Sequence, residues 1–165
     1  MAKISLGGNP INTIGELPKV GESAKNFTLV AADLSEKSLS DFSGKIVVLN
    51  IFPSIDTGIC AASVRKFNQE ASSLNNTVVI NISKDLPFAL NRFCASEGLE
   101  NVINLSDFRG SFSEDYQLLI TDGPLKGLCS RAVIIVDENG KIIYTEQVPE
   151  IKQEPDYERA IAVLK

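Results

Sequence analysis

Histidine is absent from the 165 residues. Its absence excludes Ser-His-Asp and Cys-His catalysis together, and every zinc or iron site that needs imidazole. Tryptophan is also missing, and there is one methionine. Cysteine is scarce, with Cys60, Cys94 and Cys129 only. An odd count suits a reducing compartment better than a disulfide scaffold. A cysteine-only zinc site needs one thiol more than the chain has, so a metal would require a carboxylate as well, and none is expected. Positive charge is in the minority: 16 Lys and Arg face 21 Asp and Glu, for a formal net charge of −5. An acidic chain gains nothing from a phosphate backbone, so no nucleic-acid partner is expected. No run approaches the ~20 apolar residues of a membrane span. The opening MAKISLGGNP has one Lys with no apolar run behind it, unlike a secretory signal. Cytoplasmic residence, without membrane attachment, is the expectation.

What is present reads as one globular domain over 1–165, since 44% hydrophobic and 22% charged residues give that balance. KISL, the turn signal Gly7-Gly8-Asn9-Pro10 and INTI predict a β-hairpin within an N-terminal extension, residues 1–17. FTLVAADL is a strand candidate, and SLSDFSGK a polar stretch turning at Gly44. The β-branched run Ile46 to Phe52 predicts a buried central strand, which Pro53 ends. Ala61, Val64, Phe67, Ala71 and Leu74 then recur at helical spacing, with Thr57 or Asp56 as N-cap. TVVINIS predicts a second buried strand, and LPFALNRFCASEGL a second helix with Pro87 in its first turn and Gly98 at its end. A short strand (VINLS), a short helix (SFSEDYQ), a hairpin turning at Glu138-Asn139-Gly140 and a closing helix (EPDYERAIAVLK) follow. That order implies an α/β fold, a mixed sheet with helices on both faces.

Cys60 is the one thiol placed for chemistry. It follows a buried strand and opens a helix, where first-turn N–H groups lack intrahelical partners and the dipole favours a thiolate. An arbitrary Cys is more often a small buried hydrophobe, but a Pro-ended strand, Ser54, Thr57 and a helix start are a costly way to bury an inert thiol. A thioredoxin-type pair needs C-x-x-C, and Ala61-Ala62-Ser63 follows Cys60 instead. A thiol phosphatase needs five residues between Cys and Arg, where Cys60 and Arg65 have four. Arg65 and Lys66 read as a solvated helix face, Asp56 as a cap, and DENG as a turn without a calcium ligand series.

The segment Pro53-Ser54-Ile55-Asp56-Thr57-Gly58-Ile59-Cys60 matches Pro-x-x-x-Thr-x-x-Cys, and through it the chain resembles the peroxiredoxins. NIFPSIDTGICAASVRKFNQEA, LPFALNRFCASEGLENV, DGPLKGL, EPDYERAIAVLK and the N-terminal hairpin resemble the thiol peroxidase subfamily in particular, over essentially the whole chain. The resemblance implies a thioredoxin-like fold and a thiol-dependent peroxidase. Cys60 would be the peroxidatic nucleophile, Thr57 would hold the peroxide through a hydroxyl that both accepts from it and donates to it, and Pro53 would shield the pocket. Arg131 matches the remote active-site Arg, and Cys94 matches the resolving Cys that forms an intramolecular disulfide. Hydrogen peroxide or an alkyl hydroperoxide would be the substrate, thioredoxin the reductant and a homodimer the assembly, with no metal or organic cofactor. Cys129 departs from the pattern, where an apolar residue is expected.

Ionising the thiol cannot carry such a reaction. A free Cys, pKa ~8.5, is a few per cent ionised near neutrality, so lowering its pKa to about 6 raises the thiolate fraction only about 30-fold. Enzymes typically accelerate reactions about a millionfold or more. Peroxide alignment and stabilisation of the departing oxygen must supply the larger share, from Thr57, Arg131 and first-turn N–H groups. Cys94 lies in the last turn before Gly98, so local unwinding there is expected in each cycle. Ile55 and Ile59 leave room for an alkyl chain, while Phe52 reads as core. A redox sensor using the same cysteine pair, or a binding domain without turnover, is the alternative.

Overall fold

A computed structural model describes residues 2–164. β1 (Lys3–Leu6) and β2 (Asn9–Asn12) form the expected antiparallel hairpin. Its turn is Gly7-Gly8 alone, at φ 59° and 86°, a left-handed pair that two glycines supply without steric cost. Asn9 and Pro10 belong to β2, not to the turn, because an edge strand tolerates a proline that donates no ladder bond.

The main sheet has seven strands in the order β4-β3-β7-β6-β5-β8-β9. Its centre is β5 (Ile46–Ile51), β6 (Thr77–Ser83) and β8 (Ala132–Val136); β7 (Ile103–Ser106) and β9 (Ile142–Gln147) flank these. β5, β6 and β7 run parallel, while β8 and β9 run antiparallel to their neighbours, so the sheet is mixed as expected. The FTLVAADL segment does not stay extended. Only Thr28–Val30 is strand, β3; Asp33 then accepts from Ser35 N at 3.0 Å and Ser35 Oγ at 2.6 Å, and Leu34 sits at φ 70°. That Asx turn folds the chain back as β4 (Glu36–Ser38), a strand not foreseen. The polar stretch after it holds a short 3-10 helix, Leu39–Phe42, whose Asp41 carboxylate accepts from Ser38 N at 2.7 Å.

Period-2 alternation divides the central strands between two faces. Val47, Leu49, Ile51, Ile80, Ile82 and Ile134 pack with Phe27, Phe112 and Tyr116 on one face. Val48, Val79, Val133 and Ile135 pack with Phe67, Ala160 and Ile161 on the other. α3 (Phe112–Asp115) covers the first face. α1 (Gly58–Ala71) and α4 (Tyr157–Ala162) cover the second, so helices lie on both faces. α1 ends at Ala71, one turn short of Leu74, which still packs against that second core. α2 (Pro87–Glu97) starts with its proline in the first turn and ends at Gly98, at φ 69°. Cys60, Val64, Leu90 and Cys94 bring α1 and α2 together in a third apolar cluster with Phe52 and Ile55. Among the described residues no helix is long and apolar enough to cross a membrane.

The hairpin is fastened by one carboxylate. Glu150 accepts from Gly7 N at 3.0 Å, Gly8 N at 2.9 Å, Ser5 Oγ at 2.8 Å and Lys152 N at 2.8 Å. These bonds hold its acidity at about 2, below the usual 4.5, with the Lys152 N–H as the largest cause. A carboxylate with a depressed folded pKa contributes fully above the unfolded value and loses that contribution as pH falls through the folded one. Amide protection at Gly7 and Gly8 should therefore persist at neutral pH and fade as the pH falls from about 4.5 towards 2. In Glu150→Gln that acid-dependent loss should be absent and protection weak at every pH. Unchanged hydrogen exchange at both glycines in this variant would contradict the fastening.

Candidate functional site

The C-terminal ends of the parallel strands β5 and β6 lie side by side, with Ile51 opposite Ile82. The chain leaving β5 therefore passes the chain leaving β6, and Asp85 meets Ser54. Asp85 Oδ1 accepts from Ser54 Oγ at 2.8 Å, and Oδ2 accepts from Ile55 N at 2.7 Å and Ser83 Oγ at 2.7 Å. The backbone carbonyl of Asp85 is itself held by Ser106 Oγ. One carboxylate thus fixes the loop between Pro53 and α1. Sequence reading missed Asp85; its only signal is an acid just past a buried strand, and its partner is named by the inter-strand register.

Thr57, not Asp56, is the N-cap of α1: its Oγ1 accepts from Cys60 N at 3.3 Å and donates to Ser54 O at 3.1 Å. Cys60 stands in the first turn, 0% exposed. Arg131 arrives from the residue preceding β8 and is 2% exposed. Its Nε donates to Ile151 O at 2.8 Å, and its Nη2 donates to Cys60 Sγ at 3.2 Å. Its Nη1 is buried with no hydrogen-bond partner among the described residues. No carboxylate among the described residues lies within ion-pair distance of Arg131. A buried cation without a counter-ion is costly. Through Nη2 the guanidinium is aimed at the sulfur of Cys60.

A largely apolar cleft of about 510 Å³ opens over this arrangement, lined by Leu6, Pro53, Thr57, Ile59, Leu128 and Arg131 among others. Leu6 brings the N-terminal hairpin into the site. Pro53, Thr57 and Arg131 are thus gathered at one cleft beside Cys60. Phe52 and Ile55 lie in the apolar cluster below it, Phe52 fully buried as expected.

Cys94 is free, as is Cys60, and shares that cluster. It stands in the last turn of α2, where burial is the main cause that pushes its thiol up. Its Sγ donates to Asn104 Oδ1 at 3.5 Å. Cys129 belongs to the core on the opposite face, 0% exposed, with its thiol pushed far up by burial. Arg65 does not reach the thiol of Cys60; its Nε pairs with Glu97 Oε1 at 2.6 Å on the exposed faces of α1 and α2. Among the described residues no group of three or more His, Cys, Asp and Glu side chains is placed to hold a metal ion.

Comparison with known proteins agrees with this geometry. The Redoxin family model matches residues 19–161. A thiol peroxidase from Corynebacterium glutamicum is 57% identical over 164 residues, 99% of each chain. One from Mycobacterium tuberculosis is 55% identical over the same share. Among solved structures, a peroxiredoxin-like protein from Aquifex aeolicus superposes with TM-score 0.94 at 38% identity, covering 99% of this chain and 96% of its own.

Removing the Asp85 carboxylate should leave the Ile55 N–H and the Ser54 hydroxyl without acceptors. Asp85→Ala is expected to lose about 1–3 kcal/mol of stability in denaturant titrations and to slow the reaction of Cys60 with peroxide. Asp85→Asn, which keeps an acceptor oxygen, should recover part of both. Wild-type values for Asp85→Ala in both measurements would show that the loop is held by something else.

Proposed function

We infer, for a chain that belongs to the thiol peroxidase branch of the redoxin family and reduces peroxides at the expense of a thiol, that Cys60 is the nucleophile and Arg131 its principal partner. The observation that carries this reading is the 3.2 Å contact between Arg131 Nη2 and Cys60 Sγ, made by a buried guanidinium that pairs with no carboxylate among the described residues. The thiolate attacks one peroxide oxygen. The O–O bond breaks, the sulfur takes up the terminal hydroxyl as a sulfenic acid, and the other oxygen leaves as hydroxide or alkoxide, which the proton released on ionisation of the Cys60 thiol converts to water or an alcohol. Arg131 keeps its charge throughout, and its spare Nη1 can donate to the oxygens as the O–O bond lengthens.

Thr57 acts differently from the two-way role expected of it. Its hydroxyl proton is spent on Ser54 O and one lone pair on Cys60 N. What it retains is a lone pair that can accept from the peroxide O–H, so it orients the substrate as an acceptor. Pro53, buried at the cleft edge, keeps water off the sulfur. The apolar lining accommodates the carbon chain of an organic hydroperoxide as well as hydrogen peroxide.

Cys94 then attacks the sulfenic sulfur, expelling water and forming an intramolecular disulfide. A dithiol protein of the thioredoxin type reduces it, restoring both thiols. Cys94 is seated in a helix and bonded to Asn104, so the last turn of α2 must open for the disulfide to close. Cys129, buried on the far face of the sheet, takes no part.

Coupled turnover with peroxide, thioredoxin, thioredoxin reductase and NADPH tests the assignment. Cys60→Ser should abolish NADPH loss. Cys94→Ser should consume about one equivalent of peroxide and then fail to recycle through thioredoxin. Arg131→Lys keeps the charge but not the planar fork and should lower kcat/KM by about 100-fold. Full kcat/KM in Arg131→Lys would remove the guanidinium from the mechanism.

A further inference from the structure

Three strands each carry one asparagine between aliphatic residues: Leu49-Asn50-Ile51, Ile80-Asn81-Ile82 and Ile103-Asn104-Leu105. Parallel register sets Asn50 opposite Asn81 and Asn81 opposite Asn104. Alternation places Asn50 and Asn81 on the face of Val48 and Val79, the face that α1 covers. They are 1% and 0% exposed. A carboxamide survives there only when hydrogen-bonded. Asn50 Nδ2 donates to Asn81 Oδ1 at 3.0 Å and to Ser63 Oγ at 3.3 Å, and Asn81 Nδ2 donates to Asn104 Oδ1 at 3.0 Å. At one end, Ser63 Oγ donates to Cys60 O at 2.8 Å. At the other, Cys94 Sγ donates to Asn104 Oδ1 at 3.5 Å. A continuous chain of hydrogen bonds therefore joins the backbone of Cys60 to the thiol of Cys94 across β5, β6 and β7.

The chain has a direction, and the direction decides its effect. Because Asn81 donates to Asn104 Oδ1, it is the oxygen of that amide, not its nitrogen, that faces Cys94. A carbonyl oxygen accepts from a thiol S–H but has nothing to offer a thiolate or a disulfide sulfur, which carry no proton. The Cys94–Asn104 contact exists only while Cys94 is a protonated thiol.

We propose that the Asn50–Asn81–Asn104 ladder holds Cys94 protonated and seated in α2, and so biases the Cys60–Cys94 couple towards its dithiol form. Asn104 touches the reacting sulfur, and Asn81 and Asn50 are positioning residues that act through it. This rests on the assignment of Cys94 as the resolving thiol. In that step the Cys94 sulfur bonds to the Cys60 sulfur, the S–O bond of the sulfenic acid breaks, and the proton lost by Cys94 leaves with the hydroxide as water. Asn104 loses its donor at the same moment. The ladder thus opposes disulfide closure and favours re-reduction.

The test equilibrates the full chain in dithiothreitol redox buffers and reads the Cys60–Cys94 disulfide by mass spectrometry. Asn104→Leu removes the acceptor and should move the dithiol–disulfide equilibrium towards the disulfide by about fivefold, the factor of one net hydrogen bond, or about 20 mV. Asn81→Leu should move it the same way by less. Asn104→Asp keeps an acceptor oxygen and adds negative charge beside the thiol, so it should move the equilibrium towards the dithiol. Opposite signs for Leu and Asp at a partly exposed position are not what loss of packing produces. The same sign for both, or no shift in either, overturns the ladder. Wild-type protein that forms no Cys60–Cys94 disulfide after peroxide overturns the assignment of Cys94 instead, and the ladder falls with it.

Discussion

A buried guanidinium that no carboxylate of the described residues pairs with is the constraint on which the rest of the site depends. Arg131 is 2% exposed and meets the protein at a backbone carbonyl and at the sulfur of Cys60. Neither contact is a permanent counter-ion. The fold tolerates the charge because other elements determine where it points. β8 sets its Cα, through antiparallel pairing with β5 that places Ala132 opposite Ile51. Ile151 O holds its Nε, and Ile151 N is in turn bonded to Ser5 O of the N-terminal hairpin. Glu150, one residue earlier, grips the turn of that hairpin. The hairpin is therefore a brace on the loop that aims the arginine, and through Leu6 a wall of the cleft as well.

The sulfur is aimed from the opposite side by a separate set of bonds. Asp85 holds the loop after β5, Thr57 caps α1, and the cap bonds the backbone of Cys60 itself. These bonds are short in sequence or span adjacent parallel strands, so they depend on the register of β5 against β6. An arginine placed by β8 and a sulfur placed by β5 and β6 meet only if all three strands keep their registers. A one-residue slip would turn the side chains of a strand to its other face. The aliphatic packing of those strands, interrupted on one face by Asn50 and Asn81, is what fixes the registers on which the 3.2 Å contact depends.

Much of this was legible from the sequence, and what was not has a common cause. The buried strands, α1, α2 and the two hairpins, β1–β2 and β8–β9, follow from runs and spacings within a few residues of one another. Cys60, Thr57 and Pro53 share one such segment, and Arg131 and Cys94 were reached by resemblance. Asp85 and the three asparagines were missed because their meaning lies between strands: a lone Asn in Leu49-Asn50-Ile51 says nothing until register sets it beside another. β4 was missed for a local reason, the Asp33–Ser35 bonds that turn an apparently continuous strand. The donor capacity of Thr57 was overstated because its hydroxyl is already committed to Ser54 O, a contact that only the cap geometry reveals.

The two sulfurs are held by bonds of opposite electrical character. Arg131 offers Cys60 a cationic donor, which suits a thiolate; Asn104 offers Cys94 a neutral acceptor, which suits a thiol. The pair is thus differentiated before any peroxide arrives, with one sulfur ready to attack and the other kept from competing. The strands bearing Asn104 and preceding Cys60 are two strand spacings apart, about 10 Å, so neither anchor has to be compromised for the other. In the proposed cycle the two are lost in turn, because a sulfenic acid gives Arg131 no anion and the later disulfide gives Asn104 no proton. On the proposed ladder, the contacts that distinguish the two sulfurs are therefore the same contacts that favour the reduced state.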